Sequence, residues 1–313
     1  MPQSNMTLQL APNHPDGLTL RNPIIIASGT FGLDGFGSGL PNGIEFQKIG
    51  AVVAKTVTKL PRKGNETPRM LHGTGWLINS IGLENPGIEV VLKKFAPRWE
   101  MWEVPVILSI AGECLEDFAY LAGAADRVPG IAALEVNVSC PNIEGGLEFG
   151  QSPELTESVT RLVRDSTQLP VVVKLSPNVA DIVEIARASE RGGAHALCLT
   201  NTLRGIAVDH HAKSPVLGGI IGGVSGPALK PVALGMVYSV YREVNLPLIG
   251  VGGISSVGDV LQYLMAGACA IQIGSASYAD PWNPLNVLSG LQRYMRRENL
   301  DSLAELVGSA QTS

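Results

Sequence analysis

The sequence predicts an α/β chain that folds as a (β/α)8 TIM barrel, in a single domain over residues 1–313. Eight short apolar runs, rich in β-branched residues, each precede a helix-sized segment. The length of 313 residues suits one such barrel, and no linker divides the chain. An open, doubly wound sheet is the alternative reading of the same alternation.

The elements are expected in a regular order. Two apolar runs at residues 8–10 and 18–20 flank a turn region with Pro, Asn, Asp and Gly, so they predict an N-terminal β-hairpin that plugs one end of the barrel. The predicted strands cover residues 24–27, 51–55, 106–110, 132–138, 171–175, 195–200, 247–251 and 269–273. The predicted helices cover residues 44–49, 87–95, 115–127, 153–167, 181–191, 227–244, 257–265, 286–296 and 300–307.

Three connections are longer than a barrel requires: residues 56–86, 139–152 and 201–226. All three leave the C-terminal ends of strands, which is the face where barrel enzymes carry their active sites. Long connections in a compact domain are usually functional. We therefore expect long functional loops on this face.

Composition limits the classes of partner and compartment. The formal net charge is −5 and the isoelectric point is about 5.6, and no basic cluster stands out, which argues against nucleic acid. Residues 1–10 resemble neither a signal peptide nor a membrane anchor, so a cytoplasmic protein is expected. The four cysteines lack C-x-x-C spacing, which disfavours a metal site, an iron–sulfur cluster or a disulfide framework in this chain.

The segment N-V-S-C-P-N from Asn137 to Asn142 is the first candidate for chemistry. It follows a predicted strand and precedes a glycine-rich stretch, which predicts that Cys140 lies on a loop that opens for substrate and closes over the reaction. A lone cysteine is more often a buried apolar residue. The two flanking amides favour a polar, planar ligand instead.

Other strand ends carry cationic and glycine-rich groups. Lys55 and Lys174 end the second and fifth predicted strands, and two lysines at one opening indicate an anionic ligand. Glycines follow the seventh and eighth strands, where such barrels commonly bind phosphate. They are Gly250, Gly252, Gly253 and Gly274, beside Ser275, and the segment at residues 222–227 adds more.

Amides and hydroxyls complete the inventory. The segment N-S-I-G-L-E-N-P-G from Asn79, with Asn201 and Thr202 after the sixth strand, suits a small polar ring with a carboxylate beside a phosphorylated cofactor. No carboxylate or histidine is expected at a strand end. Cys140 is therefore the best candidate for moving a proton.

These motifs together resemble the class 1 dihydroorotate dehydrogenases over almost the whole chain. The segments that carry the resemblance are A-S-G-T-F-G from Ala27, K-T-V-T-K-L-P-R-K-G-N-E-T-P-R from Lys55, N-S-I-G-L-E-N-P-G from Asn79, N-V-S-C-P-N from Asn137, V-V-V-K-L-S-P-N from Val171, N-T-L from Asn201, G-G-V-S-G-P-A-L-K-P from Gly222 and G-V-G-G-I from Gly250.

The resemblance implies one FMN per chain and the oxidation of (S)-dihydroorotate to orotate in pyrimidine (UMP) biosynthesis. Cys140 matches the base that takes the C5 proton while hydride passes from C6 to the flavin. The implied substrate contacts are Lys55, Asn79, Ser80, Ile81, Gly82, Leu83, Asn137, Asn201 and Thr202. The implied FMN contacts are Ser28, Lys55, Thr56, Ser109, Asn137, Lys174, Thr200, Gly226, Gly252, Gly253, Gly274 and Ser275, of which Ser109 and Thr200 depart from the residues that many members carry.

The motif wording is closest to the NAD-linked (class 1B) type. That type implies a homodimer of this chain in a heterotetramer with a partner subunit, which alone carries FAD and the 2Fe–2S cluster. The alternatives are a fumarate-reducing homodimer, another FMN barrel similar to a dihydropyrimidine dehydrogenase component, and a barrel retained only as a binding module.

Overall fold

The strands alternate with helices along most of the chain in the computed structural model, which describes residues 5–35, 41–139 and 148–312. The strands are β1 (Leu8–Gln9), β2 (Thr19–Leu20), β3 (Ile24–Ile26), β4 (Ala51–Val57), β5 (Met70–Gly73), β6 (Trp76–Asn79), β7 (Val106–Ile110), β8 (Ala133–Asn137), β9 (Val171–Leu175), β10 (Ala196–Leu199), β11 (Leu203–Ile206), β12 (Val208–Asp209), β13 (Ser214–Pro215), β14 (Ile221–Ser225), β15 (Leu248–Val251) and β16 (Ala270–Ile273). The helices are α1 (Ile88–Lys94), α2 (Ala96–Trp99), α3 (Leu115–Ala125), α4 (Pro153–Ser166), α5 (Ile182–Arg191), α6 (Lys230–Tyr241), α7 (Val257–Ala266), α8 (Ala276–Ala279) and α9 (Asn283–Glu298).

Eight parallel strands close into a barrel in the order β3, β4, β7, β8, β9, β10, β15 and β16, and β16 pairs again with β3. Neighbours in the barrel follow one another along the chain once the intervening short strands are set aside. This closure confirms the predicted (β/α)8 TIM barrel, and the open doubly wound alternative is wrong.

Two predicted helices are only short 3-10 turns, at Phe46–Lys48 and Leu303–Leu306. The first ends at Lys48, and at Gly50, two residues later, a Cβ atom would lie 2.0 Å from the backbone oxygen of Asn22. Because the chain must pass so close to that backbone to enter β4, it has no room for a longer helix. The second begins with a capping box between Ser302 and Glu305 and ends before Gly308, whose φ is +75°.

The predicted N-terminal hairpin is present. Strands β1 and β2 pair antiparallel, with Leu8 opposite Leu20. Leu20 packs in one buried cluster with inward-facing residues near the starts of barrel strands, including Ala51, Ala133 and Ala196. The hairpin therefore covers the N-terminal end of the barrel, as expected.

The barrel interior changes from apolar to polar along each strand. Alternate residues of a strand face the same side, so Ala133, Glu135 and Asn137 of β8 share one face. On β9, Val172 belongs to the same apolar cluster as Ala133, and Lys174 follows two residues later. The polar half of the interior thus lies at the C-terminal ends of the strands, where the site is expected.

The sequence predicts long loops at the three connections, but two of these connections contain strands. Residues 56–86 and 201–226 contribute the strands of a second, antiparallel sheet in the order β11, β14, β6 and β5. Its central pairing joins Asn79 to Gly223 and Leu77 to Ser225.

Within the three described ranges, no helix has the length and apolar character needed to cross a bilayer.

Candidate active site

A cavity of about 430 Å³ opens at the C-terminal end of the barrel, beneath the antiparallel sheet. Strand ends and sheet residues contribute to the same wall, so groups far apart in the sequence share one volume. The predicted site residues that line it are Ser28, Lys55, Thr56, Asn79, Ser80, Ile81, Gly82, Leu83, Asn137, Lys174, Thr200, Asn201, Thr202, Gly252, Gly253, Gly274 and Ser275.

Among the residues that the structure describes, two predicted site residues do not line this wall. Ser109 is fully buried one layer deeper, where its hydroxyl lies 2.9 Å from that of Thr56. Gly226 lies behind the wall, with its carbonyl against Gly253. Cys140 falls within residues 140–147, outside the described ranges, so its predicted role as base stays a prediction.

The cavity floor holds a buried lysine with polar partners. Nζ of Lys174 donates a 3.1 Å hydrogen bond to Oε1 of Gln272 and lies 3.7 Å from Oε1 of Glu135. Nε2 of Gln272 donates to Oε2 of Glu135 at 2.7 Å. Burial is the largest single effect on the pKa of Lys174 and lowers it, but the opposing effects, led by the charge of Glu135, together outweigh burial, so the pKa lies above its ordinary value. The floor therefore presents a stable positive charge.

The second cavity lysine, Lys55, has a different environment. Burial lowers the pKa of Lys55 below its ordinary value, and the carboxylate of Glu84 only partly offsets this effect. Lys55 lies against Gly29, since a Cβ atom at Gly29 would be 3.9 Å from its Nζ. A partly desolvated ammonium of this kind gains from binding an anion.

Two asparagine side chains are fixed relative to each other. Nδ2 of Asn201 donates to Oδ1 of Asn137 at 3.0 Å, and the backbone N–H of Ser139 donates to the same oxygen at 3.2 Å. The backbone N–H of Thr202 donates to Oδ1 of Asn201 at 2.9 Å. Both amides are held before a ligand arrives, as expected of groups that position a planar, polar molecule.

The sheet fixes another part of the wall. Nδ2 of Asn79 donates to the carbonyl of Gly223 at 3.3 Å, and the hydroxyl of Ser80 donates to the carbonyl of Ile221 at 2.8 Å. The next turn contains Gly82 and Leu83, both with positive φ. A Cβ atom at Gly82 would lie 2.5 Å from the side chain of Asn65, so the turn requires glycine there.

The glycines after β15 are also dictated by geometry. Gly252 and Gly253 have φ values of +137° and +65°. A Cβ atom at Gly253 would lie 2.8 Å from the carbonyl oxygen of Gly226 and from Cβ of Lys230. An ion pair of 2.6 Å between Lys230 and Asp259 holds α6 against α7 behind this turn. The turn therefore leaves bare backbone facing the cavity, which suits a phosphate.

Several lining residues were not predicted from the sequence, and three of them, Glu135, Gln272 and Asn178, hold other polar groups of the cavity in place. The prediction that no carboxylate lies at a strand end did not cover Glu135, which lines the cavity from the middle of β8. Glu135 lies two residues before Asn137 and must share its face, which is the signal that could have identified it. Gln272 is the one polar residue in an apolar strand. Asn178, whose Nδ2 donates to the carbonyl of Thr202 at 3.1 Å, has no comparable signal.

The fold and this cavity are those of a barrel enzyme, with a polar, lysine-lined cavity at the C-terminal face that suits an anionic ligand. A sequence profile of the dihydroorotate dehydrogenase family matches residues 13–295. The chain belongs to the dihydroorotate dehydrogenase family. Members of this family are flavin-dependent oxidoreductases, and the expected class of enzyme is confirmed.

The chain is also similar to curated proteins named dihydroorotate dehydrogenase B (NAD(+)), catalytic subunit. The protein of that name from Desulforudis audaxviator is 47% identical over 94% of this chain and 95% of its own length. Those from Desulforamulus reducens and Pelobacter propionicus are each 44% identical. Their alignments cover 94% and 97% of this chain, and 96% and 98% of the relatives.

Proposed function

We propose that this chain is a catalytic subunit that oxidises dihydroorotate to orotate in pyrimidine biosynthesis, with FMN as its cofactor. The single observation that carries the proposal is the convergence, in one cavity, of the Lys174 ammonium, the Asn137 and Asn201 amides and a wall of bare glycine backbone. The ammonium and the amides suit a reduced pyrimidine ring that carries a carboxylate, and the glycine backbone suits the phosphate of the cofactor.

The residues present fit FMN. Gly252, Gly253, Gly274 and Ser275 provide backbone and a hydroxyl for its phosphate, and Lys174 provides a positive charge deep in the barrel. When bound, FMN supplies the acceptor for the hydride from C6 of dihydroorotate. Lys174 stabilises negative charge that develops near the floor.

The remaining polar residues hold the substrate. Lys55 binds the carboxylate, and Asn79, Asn137 and Asn201 hydrogen bond to the ring amides and carbonyls. Pre-fixed amides reduce the entropy lost on binding and hold the C5–C6 edge in one orientation. Cys140 removes the C5 proton as the C6 hydride leaves, so that a C5–C6 double bond forms.

The electrons then leave through a second protein. Relatives named as the B (NAD(+)) catalytic subunit support a partner electron-transfer subunit. We propose that this partner carries FAD and the 2Fe–2S cluster and passes electrons to NAD. The proposal includes a homodimer of this chain within a heterotetramer, and a cytoplasmic location.

The direct test is the oxidation of dihydroorotate by the purified, FMN-loaded chain with an artificial electron acceptor. Orotate formation is followed by its ultraviolet absorbance. Dihydrouracil, which has the same ring without the carboxylate, is the matched control. We expect turnover with dihydroorotate and little with dihydrouracil. Equal rates would favour a dihydropyrimidine dehydrogenase instead, and no turnover with either would contradict the proposal.

A further inference from the structure

Three buried polar side chains cross the barrel interior at the cavity floor. Glu135, Lys174 and Gln272 are only 1%, 7% and 1% exposed, so bulk water does not solvate them. They come from β8, β9 and β16, and β8 and β16 lie on opposite sides of the barrel. Gln272 therefore spans the interior to reach the carboxylate of Glu135.

The arrangement directs one carboxylate oxygen at one ammonium. Oε2 of Glu135 accepts a hydrogen bond from Gln272. Oε1 accepts none from the described part of the chain, and its charged neighbour is Nζ of Lys174 at 3.7 Å. A buried carboxylate without a full set of hydrogen bonds destabilises the folded state. The presence of Glu135 here is therefore better explained by its effect on Lys174 than by packing.

Other titratable groups near Lys174 do not supply this charge. Cys198 of β10 is the register neighbour of Lys174, but burial raises the pKa of its thiol far above the ordinary value, which keeps it neutral. Lys55 and Arg204, which also line the cavity, carry the same sign as Lys174. Glu135 is thus the acidic partner that can keep the Lys174 ammonium protonated in a desolvated site.

We propose that Glu135 is a positioning residue for the reaction: its carboxylate, held by Gln272, fixes the Lys174 ammonium and keeps it protonated where it faces the cofactor. The inference rests on the proposed flavin site. Without the charge of this carboxylate, desolvation would dominate at Lys174, and the ammonium would lose its proton at a lower pH. The positive charge at the floor would then vanish as the pH rises.

Sulfite affinity gives a readout that does not depend on turnover. Sulfite adds to oxidised flavin and bleaches its visible absorbance, and a nearby positive charge stabilises the anionic adduct. The sulfite affinity of each FMN-loaded protein is divided by the sulfite affinity of Lys174→Met at the same pH, and this quotient is the ratio that is compared. This ratio cancels the titration of sulfite and of Lys55, and it reports only the charge at residue 174.

We expect the wild-type ratio to stay constant between about pH 6 and pH 9, because Lys174 remains charged. In Glu135→Gln the ratio should fall by roughly tenfold per pH unit above the lowered pKa, until it reaches one. Glu135→Asp keeps the charge and should stay constant. Gln272→Met is the matched control: it removes both hydrogen bonds but leaves the carboxylate, so its ratio should also stay constant.

A constant ratio in Glu135→Gln would overturn the proposal. A ratio that falls with pH in Glu135→Asp or in Gln272→Met would overturn it as well. If Glu135→Gln does not fold, the proposal can still be contradicted, since a falling ratio in the wild type or in Glu135→Asp is incompatible with the proposed role. A wild-type chain that binds no FMN contradicts the proposed function as well. A chain that binds FMN with a falling ratio contradicts only the role of Glu135.

Discussion

Nδ2 of Asn201 lies 3.0 Å from Oδ1 of Asn137, and this hydrogen bond links the ends of β10 and β8 across the cavity. The strand between them, β9, contributes Lys174 to the floor. The bond fixes the Asn137 amide in the orientation that we assign to substrate recognition.

Replacing Asn201 with Ala should therefore weaken substrate recognition in two ways, by removing one amide and by releasing another. We expect kcat/KM for dihydroorotate to fall by roughly 10- to 100-fold, the scale of one or two lost hydrogen bonds to a polar substrate. Steady-state kinetics measure this. Gln168→Ala, an exposed amide at the other end of the barrel, should leave kcat/KM unchanged. An equal loss in both variants would contradict the assignment.

Lys55 should control the pH dependence of substrate binding. Because its folded-state pKa lies below the ordinary value, the ammonium loses its proton at a lower pH than a solvated lysine does. kcat/KM should then decrease on the alkaline side, as pH rises through the lowered pKa. Lys55→Ala should raise KM more than it lowers kcat and should abolish this alkaline decrease. Lys59→Ala, an exposed neighbour, should behave as wild type, and a Lys55→Ala variant with normal KM would exclude the carboxylate contact.

Gly253→Ala tests the glycine wall. The new methyl group would lie 2.8 Å from the Gly226 carbonyl oxygen at a φ of +65°, so the turn must shift. We expect FMN affinity to fall at least tenfold, and the free energy of unfolding to fall by about 1–3 kcal/mol, measured by flavin fluorescence and urea unfolding. Gly235→Ala is the control, because a Cβ atom there has open space in α6, and it should stabilise the chain by about 0.5–1 kcal/mol. Unchanged FMN binding in Gly253→Ala would show that this turn does not contact the cofactor.

His195 should make the free energy of unfolding sensitive to acid. Its Nδ1 accepts a 2.9 Å hydrogen bond from the N–H of Val171, and its ring contacts that of His14. Burial, with smaller contributions from Arg164 and His14, lowers the pKa of His195 from 6.5 to about 4.

The unfolded chain therefore binds a proton that the folded chain rejects. The contribution of neutral His195 to the free energy of unfolding is fully present above about pH 6.5. It is lost as pH falls towards 4, and the total loss is about 3 kcal/mol. Urea unfolding of the apo protein at several pH values measures this. His195→Gln should show a shallower loss over the same window. Parallel curves for the two proteins would contradict the prediction.

The barrel could be predicted from the sequence because the signal for each strand lies in adjacent residues. A run such as V-V-V-K-L is rich in β-branched residues whichever strand it pairs with. The site lysines and asparagines were identifiable for the same reason, since they end such runs. The antiparallel sheet was not, because β6 pairs with β14, more than a hundred residues away in the chain, and short strands with glycines carry little local signal. Glu135 carries a weaker signal, because it lies inside the apolar strand β8, one inward-facing position below Asn137 at the strand end.

The account depends most directly on dihydroorotate reducing the flavin with Cys140 as the base. The decisive measurement is the rate at which dihydroorotate bleaches the bound flavin in a single anaerobic turnover, for the wild type and for Cys140→Ala. We predict complete bleaching of the wild type, and a Cys140→Ala variant that retains FMN but is bleached roughly 100- to 10,000-fold more slowly. Equal rates in the two proteins would contradict the base assignment, and a wild-type flavin that dihydroorotate does not bleach would contradict the account as a whole.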